Sequence, residues 1–274
     1  MTAPFLVSTD LDGTLLDHHT YSFAAAMPSI TRLIQLGVSI VINTSKTFAE
    51  VARLQQQLGF DAAFIVENGS AAYLPKSLEH ASIAKHYNSE FNRLVFGIQR
   101  SDIVGFLHSL RASCAWKFQG YADWSHYEIR EHTGLSLEDA QHSQQREFSE
   151  PIVWQDSADN FSKFVSAVEA EGFRVLRGGR FIHILGQSNK GSALLELRSI
   201  MFPNQSLPLL CLGDSHNDID MLRIADYPVW VRSPAHAFPE IETDKTVFYT
   251  ERYGPEGWHE AISALLATVG EPHG

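Results

Sequence analysis

The stretch Pro4-Phe5-Leu6-Val7-Ser8-Thr9-Asp10-Leu11-Asp12-Gly13-Thr14 decides the fold. The apolar run from Pro4 to Thr9 predicts a buried strand. The two carboxylates that follow are two positions apart, so they project to the same side of an extended chain. The carboxyl end of a strand is where open parallel α/β sheets place their ligands. Two like charges in one small space raise each other's pKa unless a cation lies between them. A hard divalent cation with oxygen ligands resolves the repulsion, and Mg²⁺ is the usual partner of phosphate chemistry. Taken alone, the same two residues read equally well as a turn followed by a helix cap.

Outward from this stretch, a helix is expected over Phe23 to Leu36, a strand over Val38 to Asn43, a helix over Thr47 to Leu58, and a strand over Ala62 to Glu67 closed by Asn68-Gly69. The pattern returns late in the chain. A helix is expected over Lys190 to Ile200, a strand over Leu207 to Leu212, a helix over Asp218 to Ala225, a strand over Val229 to Val231 and a helix over Gly257 to Val269. Such alternation predicts an α/β protein with a Rossmann-like parallel sheet. The intervening chain differs, with helices expected at Ser101 to Ala112, Ser136 to Gln144 and Ala158 to Glu171 and strands at Phe173 to Leu176 and Phe181 to Leu185. The expected organisation is a core made of residues 1–79 and 187–274, with a second α/β domain, 80–186, inserted into it.

A second apolar strand, Leu209 to Leu212, runs into Gly213-Asp214-Ser215-His216-Asn217-Asp218, two more carboxylates and an amide. If both strands share one parallel sheet, four carboxylates converge at one edge, which is strongly unfavourable without a metal. Thr44 and Ser45 follow the second strand and bring hydroxyl and N–H donors to the same edge. Lys190 opens a helix and offers a point charge to a phosphate. Read singly, Thr44 is an ordinary helix cap and Lys190 a solvated first-turn lysine.

In this order the residues resemble the four motifs of the haloacid dehalogenase superfamily of phosphatases: Asp10-Leu11-Asp12-Gly13-Thr14-Leu15, Thr44, Lys190, and Gly213-Asp214 with Asn217-Asp218. The resemblance implies a phosphomonoester hydrolase with Asp10 as nucleophile and Asp12 as acid and base. It also implies Mg²⁺ held by Asp10, Asp12 and Asp214 with Asn217 and Asp218 nearby, and phosphoryl charge met by Thr44 and Lys190. The insert then corresponds to an α/β cap that selects the substrate. Within the superfamily the chain looks like the mannosyl-3-phosphoglycerate phosphatases, through Thr44-Ser45-Lys46-Thr47, Glu67-Asn68-Gly69, Arg146-Glu147-Phe148-Ser149-Glu150-Pro151 and Arg177-Gly178-Gly179-Arg180-Phe181-Ile182-His183. The substrate-binding residues expected from these stretches are Ser45, Lys46, Arg146, Ser149, Glu150, Arg177, Arg180 and His183. Arginine forks suit the planar carboxylate of a glycerate. A glucosyl analogue, another sugar phosphate, a phosphomannomutase-like transfer and a binding protein that has kept the fold stay open as alternatives.

The formal net charge of −11 argues against nucleic-acid and anionic-membrane partners. The partner expected is a small phosphorylated molecule. No apolar run is long enough to span a bilayer and no secretory leader is visible, so a cytoplasmic location is expected. Cys114 and Cys211 are expected as reduced thiols packed as small hydrophobes. Gly186-Gln187-Ser188-Asn189-Lys190 has the wrong spacing for a Walker loop, Gly213-Asp214-Ser215-His216-Asn217 lacks the closing glycine of a serine-hydrolase elbow, and the 13 histidines form no zinc-protease motif.

Overall fold

The deciding strand forms as β1 (Leu6–Thr9), with all four residues buried. The computed structural model describes residues 5–78, 85–177 and 181–269. After β1 come a short 3-10 turn and α1 (Met27–Gln35), β2 (Ile40–Asn43), α2 (Phe48–Leu58) and β3 (Ala63–Val66). Three further strands follow, β4 (Ala71–Pro75), β5 (Lys85–His86) and β6 (Phe91–Val95). The middle of the chain holds α3 (Arg100–Cys114), β7 (Phe118–Gly120), α4 (His126–Thr133), α5 (Leu137–Gln144), β8 (Ser149–Trp154), α6 (Ala158–Ala170), β9 (Arg174–Arg177) and β10 (Ile182–Leu185). The last part holds α7 (Lys190–Met201), β11 (Leu209–Gly213), α8 (Ile219–Arg223), β12 (Tyr227–Arg232), β13 (Phe248–Tyr253) and α9 (Gly254–Val269).

Among the described residues, nine strands form one sheet in the order β13-β12-β11-β1-β2-β3-β4-β6-β5. The first six of these run parallel, and β4, β6 and β5 extend the sheet with antiparallel pairings. Alternate side chains serve opposite faces. Val7, Ile42 and Phe64 pack with Leu33, Val51, Trp258 and Ile262 of α1, α2 and α9. Leu6, Val41, Ile65 and Leu209 pack with Leu194, Leu197, Met221 and Leu222 of α7 and α8. Burial on both faces explains why these strands read as nearly continuous apolar runs.

The second sheet, β7-β8-β10-β9, is antiparallel throughout. Ile103, Leu107, Phe118, Ile152, Phe164 and Ile184 form its core under α3 and α6, and we call this unit the cap. The span 80–186 is therefore not uniform. Its first strands, β5 and β6, add to the edge of the large sheet, and the small sheet takes its strands from 118–185. Cys211 is buried as expected, but Cys114 is exposed, because it lies in the last turn of α3 beyond the last buried residue, Leu107. No helix among the described residues is long and apolar enough to cross a membrane.

Candidate active site

The Asp10 amide donates to the Leu212 carbonyl at 2.9 Å, which pins Asp10 to the end of β11. The chain then turns sharply, with Leu16 N donating to Leu11 O at 2.8 Å and Gly13 N to Leu16 O at 3.0 Å. Gly13 has φ +81°, and a Cβ there would lie 2.6 Å from Asp214 Oδ2. Both facts call for glycine, since L side chains avoid this backbone region. The turn can thus press its backbone against the carboxylate at the end of β11.

The loop after β11 is folded by its own aspartate. Asp218 Oδ2 accepts from the amides of Asp214 and Ser215 at 3.0 and 3.1 Å. Helix α7 begins opposite, capped by Asn189, whose side chain accepts from Ser192 N. This start delivers Lys190 inward with its side chain 0 % exposed, Nζ donating to Asp10 Oδ1 at 2.6 Å and to Asp218 Oδ1 at 2.7 Å. Asn43 holds the backbone from the other side, Nδ2 donating to Lys190 O at 3.0 Å.

Carboxylate oxygens of Asp10, Asp214 and Asp218 lie within 4.8 Å of one another. Burial raises the Asp10 carboxyl above the usual range; Lys190 opposes this and Asp218 adds to it. Burial also raises Asp214, and the charges of Asp218 and Asp10 push it further. For Lys190, burial alone would favour the neutral amine, but Asp10 and Asp218 more than offset it and hold the ammonium charged. Three carboxylates against one ammonium leave two negative charges uncompensated when all are ionised. The donor set is oxygen only, and Asp12 Oδ1 is a further buried oxygen without a hydrogen-bond partner among the described residues. These residues fit a hard divalent cation.

Thr44 is buried just beyond β2, its amide donating to Ile65 O at 2.9 Å and its hydroxyl accepting from Lys46 N at 3.2 Å. Thr47, not Thr44, caps α2, in a capping box with Glu50. Lys46, expected against substrate, pairs with Asp12 at 2.9 Å and lies 3.7 Å from Glu50. Asn217 donates to Asn68 Oδ1 at 3.1 Å.

The cap candidates are divided. Arg146 reaches the core, its Nη1 donating to Ser45 O at 3.1 Å and to Ser149 Oγ at 3.2 Å. It also borders an open cleft of about 530 Å³ that includes Arg100, Tyr121, Gln144 and Glu147 and no other expected site residue. His183 is buried, its Nδ1 without a partner among the described residues, and burial together with the charges of Arg146 and Lys190 lowers its pKa to about 3. Ser149 is buried and donates to Glu67 at 2.6 Å. Glu150 is buried too, accepting from Arg100 Nε and Ala122 N at 2.7 Å each, so both side chains have internal partners. Arg177 is exposed, its guanidinium 4.8 Å from the Phe161 ring. Arg180 lies outside the described residues. The pairings Lys46–Asp12 and Asn68–Asn217 escaped the sequence reading. Glu67-Asn68-Gly69 entered that reading as the turn closing a strand and as part of the subfamily resemblance, not as part of the site.

The family profile of haloacid dehalogenase-like hydrolases matches residues 7–240. Two curated relatives named glucosyl-3-phosphoglycerate/mannosyl-3-phosphoglycerate phosphatase are similar over nearly the full length. That of Persephonella marina is 34 % identical over 267 residues, covering 96 % of this chain and 98 % of the relative. That of Methanococcoides burtonii is 32 % identical over 265 residues, covering 95 % and 97 %. Among solved structures, a Thermoplasma acidophilum protein superposes with TM-score 0.66 at 18 % identity, covering 97 % of this chain and 98 % of the other. The sucrose-phosphatase of Synechocystis, solved with sucrose and phosphate, superposes with TM-score 0.62 at 20 % identity, covering 96 % and 98 %. At those identities the two structures speak for the fold alone.

Proposed function

This chain belongs to the haloacid dehalogenase-like hydrolase family and is a phosphatase, and we propose that it hydrolyses mannosyl-3-phosphoglycerate, with the glucosyl ester as second substrate, through an aspartyl-phosphate on Asp10. The observation that carries the reading is the buried ring of Asp10, Lys190, Asp218 and Asp214 at the carboxyl edge of β1 and β11. The relatives' names, which join both sugars, support the substrate class.

A carboxylate oxygen of Asp10 attacks phosphorus, the bond from phosphorus to the ester oxygen breaks, and Asp12 gives its proton to the leaving alkoxide. Water then attacks the aspartyl-phosphate, passes a proton to Asp12, and the bond between phosphorus and Asp10 breaks to release phosphate. Lys46, paired to Asp12, holds that side chain at the mouth of the site. Lys190 and Thr44 meet the charge that spreads over the phosphoryl oxygens. Asp10, Asp214 and the Asp12 carbonyl would hold Mg²⁺, with Asn217 and Asp218 beside them. When bound, the ion neutralises phosphoryl charge and lets the carboxylates stay ionised together. Arg146, His183, Arg177 and Arg180 are the cap side chains proposed for the sugar and glycerate.

The test is phosphate release from the mannosyl and glucosyl esters beside simple sugar phosphates, with Mg²⁺ and with chelator. Metal-dependent preference for the two phosphoglycerate esters is expected. Equal, feeble release from every compound would reject the substrate, and release undiminished by chelator would reject the cation.

A further inference from the structure

Glu67, Asn68 and Gly69 form three consecutive left-handed residues, with φ of 48°, 58° and 96°. Non-glycine residues seldom adopt this conformation, and two in succession persist only where the surroundings hold them. Here the surroundings are both halves of the enzyme.

On the core side, Glu67 N donates to Lys46 O and Asn68 N to Thr44 O, each at 3.0 Å. The Asn68 amide oxygen accepts from Asn217. Gly69 lies against the start of α7, where an added Cβ would come within 2.2 Å of the Asn189 carbonyl and 2.7 Å of Lys190 N. The turn therefore touches the loop of Thr44, the helix that delivers Lys190 and the loop of Asp214.

On the cap side, Ser70 O accepts from Phe96 N at 2.9 Å and Gly97 N at 2.8 Å, where the chain enters the cap. Ser70 Oγ lies 3.4 Å from Ser188 Oγ, where the chain returns. Between the two crossings, the buried Glu67 carboxylate reaches a cap loop. Glu67 Oε1 accepts from Glu147 N at 2.9 Å, and Oε2 accepts from Phe148 N at 3.1 Å and Ser149 Oγ at 2.6 Å. Arg146, the neighbour of these donors, spans from Ser149 to Ser45.

We propose that the turn Glu67–Ser70 is the positioning element that seats the cap over the phosphoryl site, with the Glu67 carboxylate as its catch. A substrate that must be enclosed by the cap depends on this catch. A small aryl phosphate, which needs only the ring around Asp10, does not. The need for enclosure follows from the phosphoglycerate substrate proposed above.

Glu67→Gln keeps the shape but sets an amide NH₂ against a donor, since three donors converge on the two carboxylate oxygens. It should lower kcat/KM for mannosyl-3-phosphoglycerate at least tenfold while p-nitrophenyl phosphate turnover stays within about twofold. Gly97→Ala is a second variant, because its Cβ would lie 2.8 Å from Ser70 Cβ and 3.3 Å from Phe148 Cβ and so wedges the same seam without touching Glu67. It should show the same selective loss. Equal losses on both substrates, or no loss, would overturn the proposal. Hydrogen exchange decides it independently of substrate. The Glu147 and Phe148 amides should exchange at least tenfold faster in Glu67→Gln than in the wild type, with Ile152 and Phe164 unchanged, and unchanged exchange at 147 and 148 would reject the catch. If the wild type fails to hydrolyse the phosphoglycerate ester, the proposed substrate falls while the exchange result still decides the catch.

Discussion

Replacing Lys190 by Met probes the ionic ring most directly. The lysine side chain is fully buried, with Nζ 2.6 Å from Asp10 and 2.7 Å from Asp218. Methionine fills much of the space but leaves three carboxylates with no cation between them. Removing one partner of a buried ion pair costs about 3–5 kcal/mol, against a total stability on the order of 5–15 kcal/mol. For a chain of this size each kcal/mol moves Tm by about 2–4 °C, so a drop of about 6–20 °C is expected in chelator. Mg²⁺ restores positive charge to the same oxygens, so its addition should raise Tm more in the variant than in the wild type. Turnover should fall by about 10²–10³, the usual effect of removing a charge-stabilising donor. Thermal unfolding with EDTA and with Mg²⁺, beside phosphate release, measures all three. A variant Tm within about 2 °C of wild type in chelator, or a smaller Mg²⁺ response in the variant, would refute the account of the ring.

Three further outcomes are expected. Asp10→Asn should abolish phosphate release while the circular dichroism spectrum stays native; near-normal release would remove Asp10 as nucleophile. His183 has a folded pKa of about 3 against an ordinary 6.5, so the unfolded chain takes up a proton first as the pH falls and stability is lost from about pH 6.5 downward. The loss between about pH 7.5 and 5.5 is about 1.4 kcal/mol, and urea titrations at the two pH values should show it diminished by that amount in His183→Gln; an unchanged difference would count against the buried neutral imidazole. Trp258 is fully buried on α9 and its Nε1 donates to Thr9 Oγ1 at 3.0 Å. Trp258→Ala should therefore cost about 3–5 kcal/mol in the same titration, and a cost under about 1 kcal/mol would show that α9 does not brace β1.

The central strands were legible because burial on both faces leaves a mark in composition. Leu6 to Thr9, Val41 to Asn43 and Leu209 to Leu212 have no solvent face to alternate with. β4 was not legible. Its Ala71 and Ala72 carry little strand signal, and its burial depends on partners such as Phe64, whose ring stacks on Tyr73 across the strand pair. β8 opens with Ser149-Glu150-Pro151, a poor strand signature, and is tolerated because Pro151 falls just past the end of the β7 pairing at Gly120–Ile152. α4 buries only Ile129 and Thr133, too few apolar positions for a helical stripe. At the site, Asp10, Asp12, Asp214 and Lys190 were legible because short motifs place them at strand and helix ends. Lys46–Asp12, Asn68–Asn217 and Glu67 with the cap loop were not, because they join segments distant in sequence through a backbone conformation that composition does not announce.

The position of β1 has a consequence for how the chain is made. This strand leaves the ribosome well ahead of one of its two neighbours, β11, which is paired from Leu6↔Leu209 onward, about 200 residues later. At synthesis rates of roughly 5–20 residues per second the interval is about 10–40 s. Throughout it one edge of this fully buried strand has no partner, and exposed strand edges recruit foreign chains. Expression yield should therefore respond to translation speed and chaperone supply more than to the stability of the finished enzyme, and circular permutants that bring β11 ahead of β1 should fold with less aggregation.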